Sequence, residues 1–431
     1  MEHIGGKARS MVELAEAGIR VPPFKAISAE AQHEFITMNN LSDVLKKAIE
    51  QGENAYLAAL RELRASCKMP KQVKQLWQEI RDEFPDHASA GIVRSSAACE
   101  DGAELSFAGM FDSVSFDLTS VDSFFKSLIS VWLSPFKPPV LNYLKLCKQS
   151  QLIDTLDRSM GVLIQPMMHS SAAGVGFAVD PLSGENVLTV KAVRGNGEML
   201  NTMGVCQSEY REHQGALTLK KLELQKVMLM RTDEAKLPAG SLVQHEGYDW
   251  VVAVCYQSHL HSVRVPKPLY QQPCLTVSQR ADLLAQFNAM LAHYGERNFE
   301  FEWLVDEGTV YIVQARPITA VQGGELDKSA LSGELVPIVH GDFSGEVIEW
   351  RAGLTKEQVQ NKIVVTYQMN YDLIAVLDEV EGIITQVGDS HAHAAIICRE
   401  LGVSVYKYAE AKKLKSGQRV SIIGGEWDVA A

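Results

Sequence analysis

The run Gly388-Asp389-Ser390-His391-Ala392-His393-Ala394-Ala395 leads into a stretch, 393–401, that reads as a helix closed by Gly402, a good residue for the position just past a helix end. His393 therefore sits where a helix presents unsatisfied N–H groups. Neutral imidazole is a competent nucleophile near neutral pH, because its reference pKa is about 6.5. A phosphate carried on that ring would be stabilised by the first-turn donors and the helix dipole. Two plainer alternatives stand beside this one: a helix-capping cluster without catalysis, and a metal pair made of His391 and His393, for which no third ligand is evident nearby.

A second constellation is Glu300-Phe301-Glu302-Trp303, a turn at Asp306-Glu307-Gly308, and Gln314-Ala315-Arg316-Pro317. Alternation along a strand puts Glu300 and Glu302 on one face, and a hairpin returns Gln314 and Arg316 alongside them. Glu302 and Gln314 offer hard oxygens of the kind Mg²⁺ takes in ones and twos when nucleotide phosphates supply the rest. Arg316 would lie beside a triphosphate. The plain alternative is a solvated hairpin face with a surface ion pair.

Three further stretches could serve a nucleotide. Gly5-Gly6-Lys7 precedes a helix, where glycines admit an anion to the backbone and lysine adds a point charge. Val93-Arg94-Ser95-Ser96, followed by Glu100-Asp101 and Ser106-Phe107-Ala108-Gly109-Met110, offers a planar guanidinium fork and a small-residue segment able to fold over phosphates. Gln165-Pro166-Met167-Met168, with Ala173-Gly174-Val175-Gly176-Phe177 and Gly195-Asn196-Gly197-Glu198, could sandwich an adenine between an apolar strand and a loop. A flexible terminus, a surface loop with a strand arginine, and ordinary core are the alternatives.

These groups need elements to hold them. Residues 8–18 read as an amphipathic helix ending at Gly18, and 28–50, 71–83 and 277–295 also read as helical. Residues 90–118 read as loop-rich. Segments 161–168, 174–180, 187–193 and 309–314 read as strands. The Gly-, Ser- and acid-rich stretch 319–345 reads as a boundary. Beyond it, 362–368, 380–387, 403–408 and 419–424 read as strands around the 393–401 helix, enough for a small independent α/β domain.

The whole chain has 431 residues, which suggests about two to four domains. Its net charge of −12 disfavours nucleic-acid and anionic-membrane binding. The seven cysteines include no Cys-x-x-Cys pair, no apolar run is long enough to span a bilayer, and no secretory leader is visible. A cytoplasmic protein with reduced thiols is the expectation.

With these stretches in order, the chain resembles the phosphoenolpyruvate synthase and pyruvate phosphate dikinase superfamily. The resemblance rests on GGKARSMVELAEAGIRVPPF, IVRSSAACED…LSFAGM, VLIQPMM…AAGVGFAVDPLSGE, GNGE, FEFEWLVDEG…YIVQARPIT and HAAIICRELG, which span most of the chain. It implies a mixed α/β and α+β architecture. A two-lobed ATP-grasp nucleotide domain would cover 1–320, a linker 321–345, and a small swivelling β/α phosphohistidine domain 346–431. It implies that Lys7, Arg94, Gln165, Met167, Met168, Glu198 and Arg316 bind ATP, that Glu302 and Gln314 bind Mg²⁺, and that His393 is phosphorylated. In such enzymes ATP is split to AMP and phosphate, and the histidine hands phosphoryl to an acceptor. Gly323, Gly324, Gly333, Gly341 and Gly345 would be the hinge points. An ADP-forming ATP-grasp kinase or ligase, and an inactive nucleotide-binding regulator, are the alternatives.

The chain departs from the pattern in four places. No acceptor module is visible, so the acceptor, small or protein-borne, would meet the chain at its interdomain face or on a partner subunit. The family's G-G-x-T-[SC]-H run reads Gly388-Asp389-Ser390-His391-Ala392-His393, which removes the regulatory threonine and brings Asp389 near a phosphate. Tyr143 is followed by Leu144 rather than arginine. The segment after the histidine helix is Val405-Tyr406-Lys407-Tyr408 instead of glycine-rich.

Overall fold

The computed structural model describes residues 4–45, 53–84, 89–97, 107, 110–180, 184–201, 206–245, 247–317, 335–351, 353–369, 371–387, 393–424 and 426–430. Helix α1 (Gly6–Glu16) buries Ala8, Met11 and Leu14, a spacing that lines one helical face. It stops where Gly18 adopts a left-handed φ of 74°. The Gly18 N–H donates to Ala15 O and the Ile19 N–H to Leu14 O, and Ile19 and Leu14 enter the same core.

The described strands form four sheets. The first, in order β1 (Lys25–Ile27), β4 (Met160–Pro166), β2 (Ala90–Ala97), β3 (Ser113–Asp117), is antiparallel throughout. Val93, Val162, Ile164 and Ile27 share one face and pack under α2 (Ala29–Met38), α3 (Glu53–Ser66), α4 (Lys71–Glu83) and α5 (Val121–Leu133). Trp77 stacks on Phe124 at 5.3 Å, and Phe35 meets Trp132 at 5.2 Å. Fully burying such side chains contributes about 1.5–3 kcal/mol each. Arg94 and Gln165 lie on the other face, since Arg94 pairs with Leu163 and Ile92 with Gln165.

The second sheet runs β14 (Thr309–Pro317), β13 (Phe299–Asp306), β5 (Ser170–Phe177), β6 (Thr189–Arg194), β7 (Ser208–His213), β8 (Ala216–Leu222). Strand β13 alternates strictly between buried and half-buried residues. Phe299, Phe301, Trp303 and Val305 face a core closed by the helix Val277–Tyr294, which opens with a Thr276–Gln279 capping box. The third sheet, β10 (Leu242–His245), β11 (Tyr248–Gln257), β12 (Leu260–Arg264), β9 (Val227–Arg231), is fastened to the first lobe by Arg231 Nη2 donating to Ser89 Oγ at 2.8 Å and Ser115 Oγ to Ser258 O at 3.1 Å.

The fourth sheet runs β15 (Leu335–Val339), β19 (Val405–Tyr408), β18 (Gly382–Val387), β17 (Lys362–Gln368), β16 (Phe343–Glu349), β20 (Arg419–Ile423), β21 (Glu426–Ala430). Strands β16 to β19 are parallel, and the helix His393–Glu400 makes the crossover from β18 to β19. That helix ends as the sequence indicates: Gly402 N–H donates to Arg399 O and Val403 N–H to Cys398 O. No described helix is long and apolar enough to cross a membrane.

Four expectations need correcting. Residues 90–97 and 113–117 are strands rather than loop, because buried Val93, Ala97 and Phe116 pack beneath the helices. The helix expected over 28–50 is interrupted after Met38, where Asn40 takes a φ of 53° and Leu41 N–H donates to Ile36 O, and helix resumes over 42–45. The C-terminal sheet begins inside the expected linker, since β15 pairs with β19 and β16 starts at Phe343. Consequently Gly341 and Gly345 are not hinge points. Gly341 O accepts from Tyr406 Oη at 3.2 Å, and Gly345 pairs with Val420 inside the sheet. Gly323, Gly324 and Gly333 lie outside the described residues.

Candidate active site

The expected hairpin forms in the expected register: Glu300 pairs with Arg316 and Glu302 with Gln314. Both glutamates face away from the Phe301–Trp303 core. Arg316 Nε donates to Glu300 Oε1 at 2.5 Å, which fixes the guanidinium at the hairpin edge. Gln314 is buried, and Glu302 is half-buried at the open face.

Arg94 reaches this face from the other lobe. Its Nη2 lies 3.6 Å from Glu302 Oε2, so one contact joins the first and second sheets across the cleft. Lys7 enters beside it from α1, with Nζ 3.4 Å from Ser95 Oγ. The start of α1 is held by Ala8 N–H donating to Ser96 Oγ at 2.9 Å. No side chain caps Gly5, and the first turn carries no acid, which leaves that end suited to an anion. Gly5 has φ 79° and ψ 172°, a conformation open in practice only to glycine. A Cβ there would lie 1.6 Å from Ser96 O.

Gln165 shares the Arg94 face of the first sheet. It is 3% exposed, and its Nε2 has no hydrogen-bond partner among the described residues. A buried donor left empty costs about 1–3 kcal/mol, so a polar ligand at this point has a physical reason to bind. Strand β4 then delivers Met167, buried and held by its N–H to Ala90 O, and half-buried Met168 to the turn joining the two lobes. The Gly195–Glu198 loop reaches the same end, with Gly195 N–H on Ser171 O and Asn196 N–H on Leu229 O. Asn196 Oδ1 accepts from the Glu198 N–H at 2.9 Å. The cleft therefore has an apolar hinge end and a charged far end.

Gly174 and Gly176 play a different part from the adenine contact considered for them. A Cβ on Gly176 would strike the Phe301 ring at 2.2 Å, and one on Gly174 would meet Lys191 O at 2.0 Å and Trp303 at 2.7 Å. They clear space for the aromatic core of the second sheet. Val175 between them faces the cleft.

Glu302 and Gln314 fit Mg²⁺ only with further ligands, since no group of three or more His, Cys, Asp or Glu side chains able to hold a metal occurs among the described residues. One carboxylate and one amide oxygen are the protein share that a phosphate-bound magnesium takes.

His393 is the first residue of the crossover helix His393–Glu400, called the histidine helix below. Residues 388–392 lie outside the described residues, and with them the departures at Asp389, His391 and Ala392. The C-terminal domain docks on the helix Pro138–Leu146 of the first lobe through the 3-10 segment Tyr371–Val376 and the end of the histidine helix. Tyr143 Oη donates to Glu400 Oε2 at 2.5 Å, and Asn142 Nδ2 to Ile374 O at 3.3 Å. Burial, then the Glu400 contact, pushes the Tyr143 phenol well above its usual value, so it remains a donor. Neither motif nor spacing marks this docking contact in the sequence.

Comparison with known proteins agrees with this architecture. The chain is 25% identical to the probable phosphoenolpyruvate synthase of Pyrococcus horikoshii, over 98% of this chain and 55% of that protein. It is 24% identical to the phosphoenolpyruvate synthase of Pyrococcus furiosus, over 98% and 56%. It is 28% identical to that of Pseudomonas aeruginosa, over 99% and 56%. The chain thus spans about half the length of the curated relatives it matches. A D-alanine–D-alanine ligase from Helicobacter pylori overlays with a TM-score of 0.28 at 10% identity, covering 73% of this chain and 54% of that one, too loosely to add to the argument. Residues 358–426 match the mobile domain of phosphoenolpyruvate-utilising enzymes and residues 1–331 the pyruvate phosphate dikinase AMP/ATP-binding domain, and the chain belongs to the pyruvate phosphate dikinase AMP/ATP-binding family.

Proposed function

We propose that the chain is an ATP-dependent phosphotransferase of the dikinase type, working through His393. The observation that carries this reading is the cross-cleft set in which Arg94 meets Glu302, with Gln314 paired to Glu302 and Arg316 next along the hairpin. Lys7, Arg94 and Arg316 would clamp the phosphates of ATP. Gln165, Met167, Met168 and Glu198 would hold the nucleoside end. Glu302 and Gln314 would hold Mg²⁺, which neutralises phosphate charge when bound. Phosphoryl transfer needs little beyond positioning and charge neutralisation, and these residue types supply both.

The imidazole of His393 accepts phosphoryl, AMP and inorganic phosphate leave, and a water supplies the oxygen for the released phosphate. The group then passes to an acceptor, either a small molecule or one borne on a partner subunit. The described cysteines are all free thiols, which supports a cytoplasmic setting. The test is the His393→Ala protein. It should bind MgATP as the parent does and form no AMP. AMP formation at the parent rate by His393→Ala would refute the proposal, and ADP as the sole product would favour direct ATP-grasp chemistry.

A further inference from the structure

Lys191 of β6 is a cation of the second sheet outside the Lys7, Arg94 and Arg316 set. Strand register places Gln314, Glu302, Val175, Lys191, Glu209 and Lys221 in a single row across β14, β13, β5, β6, β7 and β8. Directly paired residues on neighbouring strands project from the same face of a sheet. Lys191 therefore projects from the face that bears the Glu302 and Gln314 pair, and it is half-buried there.

Its depth along the cleft is equally defined. Ser170 and Asp306 pair at the hinge end, and Val175, level with Lys191, lies five residues further along β5. At a rise of roughly 3.3 Å per residue that is about 16 Å from the hinge. A nucleotide with its base against Met167 and Met168 brings its phosphates to this depth, not its ribose. Across the sheet, Lys191 is two strands from Glu302, or about 10 Å at the usual strand spacing. An extended lysine spans roughly 6 Å, so its ammonium group reaches the zone between its own strand and the Glu302 carboxylate.

We propose that Lys191 contacts the β- and γ-phosphates of bound ATP as a cation on the side of the cleft opposite Arg316. The inference rests on the nucleotide reading above. The competing role is a cross-strand pair with Glu209 that only stabilises the sheet. A phosphate contact would discriminate between nucleotides by their phosphate number, which a sheet-stabilising pair would not do.

The experiment compares MgATP and AMP affinities of the full chain by calorimetry for the parent protein, Lys191→Met, Lys191→Arg and Lys221→Ala. Lys191→Met keeps the aliphatic stem and so spares packing, and its fold is checked by circular dichroism. The expected result is MgATP binding about tenfold to a hundredfold weaker, as for loss of a charge-assisted contact, with AMP binding unchanged. Lys191→Arg should recover part of the loss, and Lys221→Ala, two strands further out, should match the parent. Unchanged MgATP affinity in Lys191→Met, or equal losses for MgATP and AMP, would overturn the inference while leaving the nucleotide site intact. A parent protein that binds no MgATP would overturn both readings together.

Discussion

Replacing Gly5 with alanine tests whether the start of α1 builds the phosphate end of the cleft, and Gly18→Ala is the matched control. Both residues have positive φ, 79° and 74°. A Cβ at Gly18 meets nothing within 4 Å, so Gly18→Ala carries only the left-handed strain, about 1–2 kcal/mol. A Cβ at Gly5 would lie 1.6 Å from Ser96 O, 2.3 Å from Ser96 C and 2.7 Å from Ser96 Oγ. That contact is with backbone, and no rotamer change relieves it. The strand cannot retreat freely either, because Ser96 is paired with Gly161 of β4, a position so crowded that a Cβ there would meet Ile4 O at 2.5 Å. Backbone displacement of this kind adds about 1–3 kcal/mol to a strain of about 1–3 kcal/mol. Gly5→Ala should therefore cost about 2–6 kcal/mol against about 1–2 kcal/mol for Gly18→Ala. The displaced helix start also carries Lys7 away from Ser95 and Arg94, and misplacement by about 1 Å can cost on the order of a hundredfold in a positioned site. Thermal unfolding and MgATP calorimetry on both variants give the readout. Equal melting and equal affinity in the two variants would refute the reasoning.

Gln165→Met removes the buried, unpartnered Nε2, so the nucleotide-free protein should gain about 1 kcal/mol in thermal unfolding while losing MgATP affinity; a stability loss would show that Nε2 is satisfied. Tyr143→Phe removes the donor to Glu400, and because Glu400 is exposed and rehydrates, the net loss should be about 1 kcal/mol, roughly fivefold in the docking equilibrium. Hydrogen exchange in the histidine helix should then rise, and unchanged protection would place the docking energy elsewhere. His261 accepts the Leu237 N–H at Nε2, so its Nδ1 carries the proton bonded to Thr232 Oγ1. Burial, with His259 adding and Glu234 opposing, lowers its pKa below the usual 6.5. The unfolded chain then takes up the proton first, and stability falls as pH drops below about 6.5. Denaturant titrations of parent and His261→Gln protein should diverge least at low pH; parallel profiles would refute this.

The hairpin was the most legible part of the sequence, because strict alternation at Glu300-Phe301-Glu302-Trp303 and a Gly308 turn leave one register. The helix 71–83 was legible for the same reason, with Val73, Trp77 and Ile80 on one face. The sheets over 208–264 leave little signal in the sequence. Their strands mix charged and apolar residues, and several are exposed on one side, so the alternation is weak. A local signal existed in Gln214-Gly215, both with positive φ, the two-residue turn that joins β7 to β8. Lys191 was invisible for a different reason. Its place in the Glu302 row depends on two strand pairings, β13 with β5 and β5 with β6, and no spacing along the chain encodes them. The docking of Tyr143 on Glu400, 257 residues apart, is likewise a property of packing alone.

On the dikinase reading, phosphoryl from ATP comes to rest on His393. The most direct measurement is to incubate the purified chain with Mg²⁺ and ATP labelled at the β-phosphate, without any acceptor, and to map acid-labile label by peptide. Label is expected on the peptide containing His393, with AMP released in equal amount. ATP turned over to ADP with no label on that peptide would contradict that reading.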